Sequence, residues 1–331
     1  MAYPIENKLV IAIASSALFD LTESDRVFRE QGEEAYRLYQ RDNETVVLQP
    51  GVAFPLIKRM LRLNDGLAEG DRPVEVVLLS RNDPDTGLRV FNSIEHHRLD
   101  ISRAAFVNGG NPFRYMSGFN ASLFLSANAA DVKSAVQRGL PAGRVFPTSF
   151  ADREDDLELR IAFDFDGVVA DDSAEAVFKK DGLPAFQEGE RKLAAEPHKG
   201  GPLERFFREI ARLQKFEQER RAKDSTYTPR LRTAIVTARN APAHKRVVTT
   251  LRQWGIEVDE VFFLGGIEKQ RILGELQPHI FFDDTLGHVE LAAGATPSVH
   301  VPFGVNNEPT PEVILEAFAE HKKRSHEQAA P

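Results

Sequence analysis

Ser80 and Ser126 each close a short apolar run and stand 46 residues apart; Thr237 and Asp283 do the same at the same distance. The surrounding words match. Leu78-Leu79-Ser80-Arg81-Asn82 parallels Ile235-Val236-Thr237-Ala238-Arg239, and Leu123-Phe124-Leu125-Ser126 parallels Ile280-Phe281-Phe282-Asp283. Phe106-Val107-Asn108-Gly109-Gly110 parallels Phe262-Phe263-Leu264-Gly265-Gly266, and Val145-Phe146-Pro147 parallels His300-Val301-Pro302. Unrelated halves share a rhythm but not words at fixed spacing, so we read an internal duplication of a βαβ array.

Ten apolar runs are candidate strands: Leu9–Ala14, Val74–Leu79, Ala104–Val107, Leu123–Leu125, Arg144–Phe146, Leu159–Phe163, Thr233–Val236, Val261–Leu264, Ile280–Phe282 and Val299–Val301. Most lack polar alternation, as parallel strands covered on both faces do. Leu203, Phe206, Phe207, Ile210, Leu213 and Phe216 recur at helical spacing. The polar flank Gln218–Asp224 reads as a solvated face. The fold class is therefore α/β. At 331 residues the chain has room for two cores.

Composition narrows function mainly by exclusion. A net charge of −8 disfavours nonspecific nucleic-acid or anionic membrane binding. With no cysteine, disulfides, thiolate-zinc sites and thiol nucleophiles drop out. Leu9–Leu18 is too short to span a bilayer and has no basic segment of weight before it, so a cytoplasmic protein is expected. Dinucleotide and ATP-loop glycine motifs are missing.

The two halves differ at their strand ends. The second carries Asp164, Asp166, Thr237, Asp283 and Asp284, where the first has Ser15, Ala17, Ser80, Ser126 and Ala127 by our matching. In Phe163-Asp164-Phe165-Asp166-Gly167 the two carboxylates share one strand face. They fall at a strand's carboxyl end, where open α/β sheets bind ligands. Clustered acids without His or Cys support favour a hard cation, Mg²⁺ above all. The hydroxyl of Thr237 and the ammonium of Lys269, beside such a cluster, suit a phosphoryl group. Alternatives stand beside these readings: a solvated turn for the Asp pair, a surface lysine for Lys269, and a helix cap for Asp284.

Asp164-x-Asp166-Gly167-Val168, Thr237, Lys269 and Asp283-Asp284, in that order, resemble the four motifs of the haloacid dehalogenase phosphatase superfamily. Val236–Arg239, Val261–Gly266, Pro278–Asp284, Ala14–Asp20 and Asn92-Ser93-Ile94 resemble the cytosolic 5′-nucleotidase I family more narrowly. Phe165 departs from the glycine of mammalian members.

The resemblance implies Mg²⁺-dependent hydrolysis of nucleoside 5′-monophosphates such as AMP or IMP. Asp164 would be nucleophile and metal ligand, and Asp166 the general acid/base with its carbonyl on the metal. Thr237 and Lys269 would bind phosphate, and Asp283 and Asp284 would complete the metal site. The expected architecture is a haloacid-dehalogenase-like Rossmannoid parallel sheet with a helical cap, plus a degenerate N-terminal duplicate. Residues 1–155 form that duplicate and 156–310 the catalytic domain, with a cap insertion near 170–230 that holds the amphipathic helix. Residues 311–331 form a C-terminal helix and frayed tail.

Asn82, Arg89, Asn92, Asn108, Gly109 and Gly110 are candidate nucleoside contacts from the first half. Surface helix roles suit Arg89 and Asn92 at least as well, and Gly-Gly after a strand is more often a turn. His96-His97 reads as an exposed helix end. A phosphatase of sugar phosphates and a nucleotide-binding regulator are the rival functions. The partner is a small nucleotide, with neither nucleic acid nor membrane; a homo-oligomer stays open.

Overall fold

The computed structural model describes residues 3–153 and 155–307. Among these, ten strands form one sheet in the order β3-β2-β1-β4-β5-β10-β9-β6-β7-β8. The strands are β1 Leu9–Ile13, β2 Val74–Ser80, β3 Arg103–Phe106, β4 Leu123–Ser126 and β5 Ala142–Phe146. In the second half they are β6 Leu159–Phe163, β7 Leu231–Thr237, β8 Glu260–Phe263, β9 Ile280–Asp283 and β10 Ser298–His300. All ten fall on the apolar runs predicted from sequence.

Every pairing is parallel except β5 with β10, where Val145 faces Val299. Read outward from that antiparallel join, the two halves have the same strand order. One runs β5-β4-β1-β2-β3, the other β10-β9-β6-β7-β8. The sheet is thus continuous across the expected boundary at residue 155.

Each half also carries a matching helical pair, α2 Thr22–Asp42 with α3 Phe54–Arg62, and α6 Ser173–Lys192 with α7 Glu204–Lys223. The intervening α4 and α5 span Leu88–His96 and Ala129–Val136, and α1 is the single turn Ser15–Leu18. The last three helices are α8 His244–Trp254, α9 Lys269–Leu276 and α10 Leu286–Ala293. Helix α2 breaks at Gly32 (φ 85°) and α6 at Gly182 (φ 79°), a left-handed conformation that glycine takes without a Cβ clash.

The apolar side of α7 lies on the sheet: Phe206 and Phe207 contact Phe163, and Phe206 contacts Phe282. This amphipathic helix is therefore a core layer and not a cap, because its apolar stripe needs the sheet to bury it. Phe163, Phe206, Ile210, Leu9, Ile13, Leu56 and Ile57 belong to one buried cluster spanning both halves. The helix runs past Phe216 to Lys223, with most of its polar flank in solvent.

His97 also differs from expectation. It stacks on Phe19 at 5.7 Å and its Nε2 meets the Leu48 carbonyl at 2.9 Å, so only His96 is exposed. None of the described helices is long and apolar enough to cross a membrane. The expected C-terminal helix of 311–331 lies outside the described residues.

Candidate active site

Strands β9, β6 and β7 are adjacent and parallel, so their carboxyl ends open on one edge. Asp164 follows β6, and its N–H donates to Phe282 O of β9 at 2.7 Å. Asp283 ends β9, Thr237 ends β7, and Lys269 starts α9 after β8. Lys269 Nζ reaches both Asp164 Oδ2 and Asp283 Oδ2 at 2.7 Å. The other oxygen of Asp164 accepts the Phe165 N–H at 2.7 Å.

Gly167 lets the chain leave this edge. Its φ is +70°, and a Cβ there would sit 2.5 Å from Asp284 Oδ2. Asp284 is turned toward Asn306, whose Nδ2 donates to its Oδ2 at 2.9 Å. It does not cap α10, whose start instead has Asp283 Oδ1 accepting the Thr285 N–H at 2.8 Å.

Asp164, Asp283 and Asp284 are all buried, and each offers an oxygen within 4.8 Å of the others. Burial pushes the Asp164 carboxyl up, Lys269 opposes this, and Asp283 and Asp166 add to it. Burial, then the charges of Asp164 and Asp283, push Asp284 up to about 8. At Asp283 burial also acts upward, but Lys269 and His288 outweigh it and hold that carboxyl below its usual range. One ammonium therefore faces three carboxylates. An all-oxygen set short of counter-charge fits a hard divalent cation.

Asp166 is held differently. Arg239 Nε and Nη2 donate to its two oxygens at 2.6 Å each. The third guanidinium nitrogen bonds Glu190 of α6, which is 3% exposed. Glu190 also accepts from Arg246 Nη1 at 2.8 Å and faces His198 Nε2 at 3.3 Å. Burial raises Glu190, but His198 and Arg239 overcome this and hold it at about 2. A chain of buried charges thus runs from the sheet edge into α6. The same helix sets Phe186 5.3 Å beneath the Arg239 guanidinium, with Phe178 against Phe186 at 6.1 Å.

Sequence reasoning missed Arg239, Glu190 and Phe178/Phe186. Arg239 stood inside a quoted motif, while its partners on α6 meet it only through tertiary packing.

Asp164, Asp283, Asp284 and Lys269 come together, with Thr237 at the end of the neighbouring strand. The first-half candidates lie apart from them. Arg89 Nη1 bonds Gln40 Oε1 at 3.1 Å and its Nε bonds Val46 O at 2.9 Å; Asn92 Nδ2 bonds Glu44 O at 3.1 Å. These side chains tie the loop after α2 to α4. Asn82, Asn108 and Gly109 line a separate cavity in the first half, and Gly110 follows them.

Hydrogen bonding also shifts two of our sequence matches by one residue. Ala14 N–H donates to Leu125 O as Asp164 N–H donates to Phe282 O, so Ala14 and Ser16 stand where Asp164 and Asp166 do. Val107 N–H meets Ser80 O as Leu264 N–H meets Thr237 O, which pairs Val107 with Leu264. Apolar words slide along one another; hydrogen-bond register does not.

The chain is 35% identical over 290 residues to human cytosolic 5′-nucleotidase 1B, an alignment covering 86% of this chain and 47% of the relative. It thus spans about half the length of that curated relative. No solved structure matches it. The family model for 5′-nucleotidases covers residues 1–308, which include every described residue, and the protein belongs to the 5′-nucleotidase family.

Proposed function

We propose that this protein is a Mg²⁺-dependent 5′-nucleotidase that hydrolyses nucleoside 5′-monophosphates, AMP or IMP among them, through an aspartyl-phosphate intermediate. The observation that carries this is the meeting of Lys269 with Asp164 and Asp283 at 2.7 Å, beside Thr237 and Asp166 on one parallel-strand edge.

Asp164 attacks phosphorus, forming a carboxylate O–P bond as the P–O5′ bond breaks. Asp166 gives the departing O5′ a proton, then takes one from the water that cleaves the acyl phosphate. Phosphate and nucleoside leave, and both aspartates return to their starting forms. Thr237 donates its hydroxyl, and Lys269 its ammonium, to the phosphoryl oxygens. Asp164, Asp283 and Asp284, with the Asp166 carbonyl, would hold Mg²⁺, which neutralises charge on those oxygens when bound.

Helix α6 is the cap in this reading, with Phe178 and Phe186 as a platform for the base and a screen against water. The fold is haloacid-dehalogenase-like, with residues 156–310 catalytic and 1–155 a duplicate that has lost its carboxylates. The equal strand order and paired kinked helices support duplication.

The test is phosphate release from 5′-monophosphates, 3′-monophosphates and sugar phosphates, with Mg²⁺ and with EDTA. Mg²⁺-dependent release from 5′-nucleotides that vanishes in Asp164→Asn is expected. Preference for ribose 5-phosphate would make the protein a sugar phosphatase. Tight nucleotide binding without turnover would make it a regulator.

A further inference from the structure

The half without the acidic cluster also has a cavity at its strand ends. Its volume is about 830 Å³, within the ~300–1,000 Å³ of small-molecule sites. Ser15, Ser16 and Ser126 line it with Phe28 and Tyr36 of α2 and Asn82 after β2. Phe28 and Tyr36 meet edge to face at 5.7 Å and 87°, as Phe178 and Phe186 do at 6.1 Å and 79°. Each pair straddles its helix's left-handed glycine. Phe28 is 50% exposed, an aromatic face left open beside the cavity.

The groups that handle anions have not been kept. Ala14, Ser126 and Ala127 stand where the three clustered carboxylates stand in the other half. Pro112 opens the short helix after β3 as Lys269 opens α9 after β8. Two of the three lining arginines are matched by acids: Arg81 Nε bonds Asp131 Oδ2 at 2.8 Å, and Arg37 Nε, which makes no hydrogen bond, lies 3.3 Å from Asp83 Oδ2. Arg29 turns back to the Asp25 carbonyl at 3.3 Å. Such a lining offers a phosphate little net positive charge and offers a metal no carboxylate cluster.

It does offer neutral donors. Asn82 Oδ1 accepts from Tyr36 at 3.3 Å, while its buried Nδ2 has no hydrogen-bond partner. Orphaned buried donors are uncommon and call for an acceptor. Ser16 and Ser126 accept backbone N–H groups from Ala127 and Asn128, leaving their own O–H groups to donate.

We propose that this cavity binds a neutral nucleoside without a metal. The base lies against Phe28 and Tyr36, Asn82 Nδ2 donates to a ring nitrogen or carbonyl, and the serine hydroxyls meet the sugar. The choice of a nucleoside among planar heteroaromatics rests on the nucleotidase reading above; the aromatic wall and neutral lining do not.

Titration calorimetry of the whole chain in excess EDTA tests it, with adenosine, inosine, uridine, ribose 5-phosphate and inorganic phosphate as probes. Nucleoside binding is expected in EDTA, weakened at least tenfold by Phe28→Ser and by Asn82→Leu and retained in Phe178→Ser. Phe28 is an exposed side chain on one element and Asn82 lies on another, so a folding defect in one variant leaves the other to report. The proposal is overturned if nucleoside affinity falls only in Phe178→Ser, if both first-half variants bind like the unaltered chain, or if only the phosphate-bearing probes bind. In each of those cases phosphate release still decides the nucleotidase reading. A chain that binds nucleosides here but releases no phosphate sinks that reading and keeps this site.

Discussion

After β1 the chain makes one turn of helix, Ser15–Leu18; after β6 it makes a left-handed turn at Gly167. Behind those turns the two halves stay alike. Arg89 holds Gln40 as Arg246 holds Glu190, and their Nε atoms meet Val46 O and Glu196 O, the matching loop carbonyls. The Ser93 hydroxyl meets Arg89 O as the Thr250 hydroxyl meets Arg246 O, both at 2.8 Å. What differs is charge at the strand ends. Asp166, Arg239 and Glu190 in one half face Ser16, Asn82 and Gln40 in the other. The frame is the same in both, and neutral groups stand in the first half where Asp166, Arg239 and Glu190 stand in the second, while Arg89 carries its charge on the Gln40 amide and the Val46 carbonyl. A charge buried without its partner costs about 3–5 kcal/mol, so an arginine in place of Asn82 would need the acids that the first half lacks. Stability alone does not ask for such a chain, because a neutral trio holds the same frame.

The largest expected break in the comparison is at Asp164. Asp164→Asn should lower kcat for a nucleotide by about 10³-fold or more, as nucleophile removal does elsewhere. An asparagine at that position keeps the shape and removes the attacking charge. A fully active variant would remove Asp164 from the chemistry.

Next is the charge chain. Arg239→Gln should cut kcat by about 10²-fold, the scale on which a catalytic group displaced by an ångström acts. The loss should be much smaller on an aryl phosphate, whose leaving group needs little protonation. Equal losses on both substrates would mean that Arg239 only supports the fold.

The ten strands were legible because their cores are unbroken apolar runs, which two-sided burial demands. Helix α2 was not foreseen: its face is largely polar and Gly32 interrupts its period. Helix α7 was read as cap because an apolar stripe shows that something is covered without saying what. The β5–β10 join was also hidden, since apolar patterning carries no strand direction. Of the site, the acids, Thr237 and Lys269 were visible as motif residues. Glu190 was one acid among many on an exposed-looking helix, and only the packing of α6 brings it to Arg239.

A third contrast concerns the metal. Burial, then the charges of Asp164 and Asp283, push the Asp284 carboxyl up to about 8, against 3.8 for a free carboxyl. A carboxyl raised on folding contributes stability fully below the unfolded value and loses it as pH rises through the folded one. The Asp284 contribution should therefore fall between about pH 4 and 8 without a cation, opposed below about pH 6.5 by His279, which burial holds at about 4, and a divalent cation should restore it. At a hundredfold excess over Kd the gain is about 2.7 kcal/mol, a Tm rise of about 4 °C for a chain of this size. Asp283→Asn should abolish most of that rise in a thermal melt. A Tm indifferent to Mg²⁺ and EDTA would mean the carboxylates hold no ion.

The smallest effect tests the turns themselves. Each half has made the opposite choice at one position: Gly167 at φ +70° in one, and in the other Ala17, fully buried in a helical turn and accepting the Ala53 N–H at 3.0 Å. Gly167→Ala forces a Cβ onto Asp284 and a side chain into the left-handed region, costing about 1–3 kcal/mol. Ala17→Gly adds backbone freedom within a helical turn and costs about 1 kcal/mol. Urea midpoints should rank them in that order. Activity should separate them further, because the Gly167 turn sets the direction of Asp166 whereas Ala17 sits among no catalytic groups. If the two swaps cost the same and leave kcat alike, the left-handed turn is only a way out of the strand. If Gly167→Ala loses activity beyond its loss of stability, the glycine is there to make room for Asp284 and to aim Asp166.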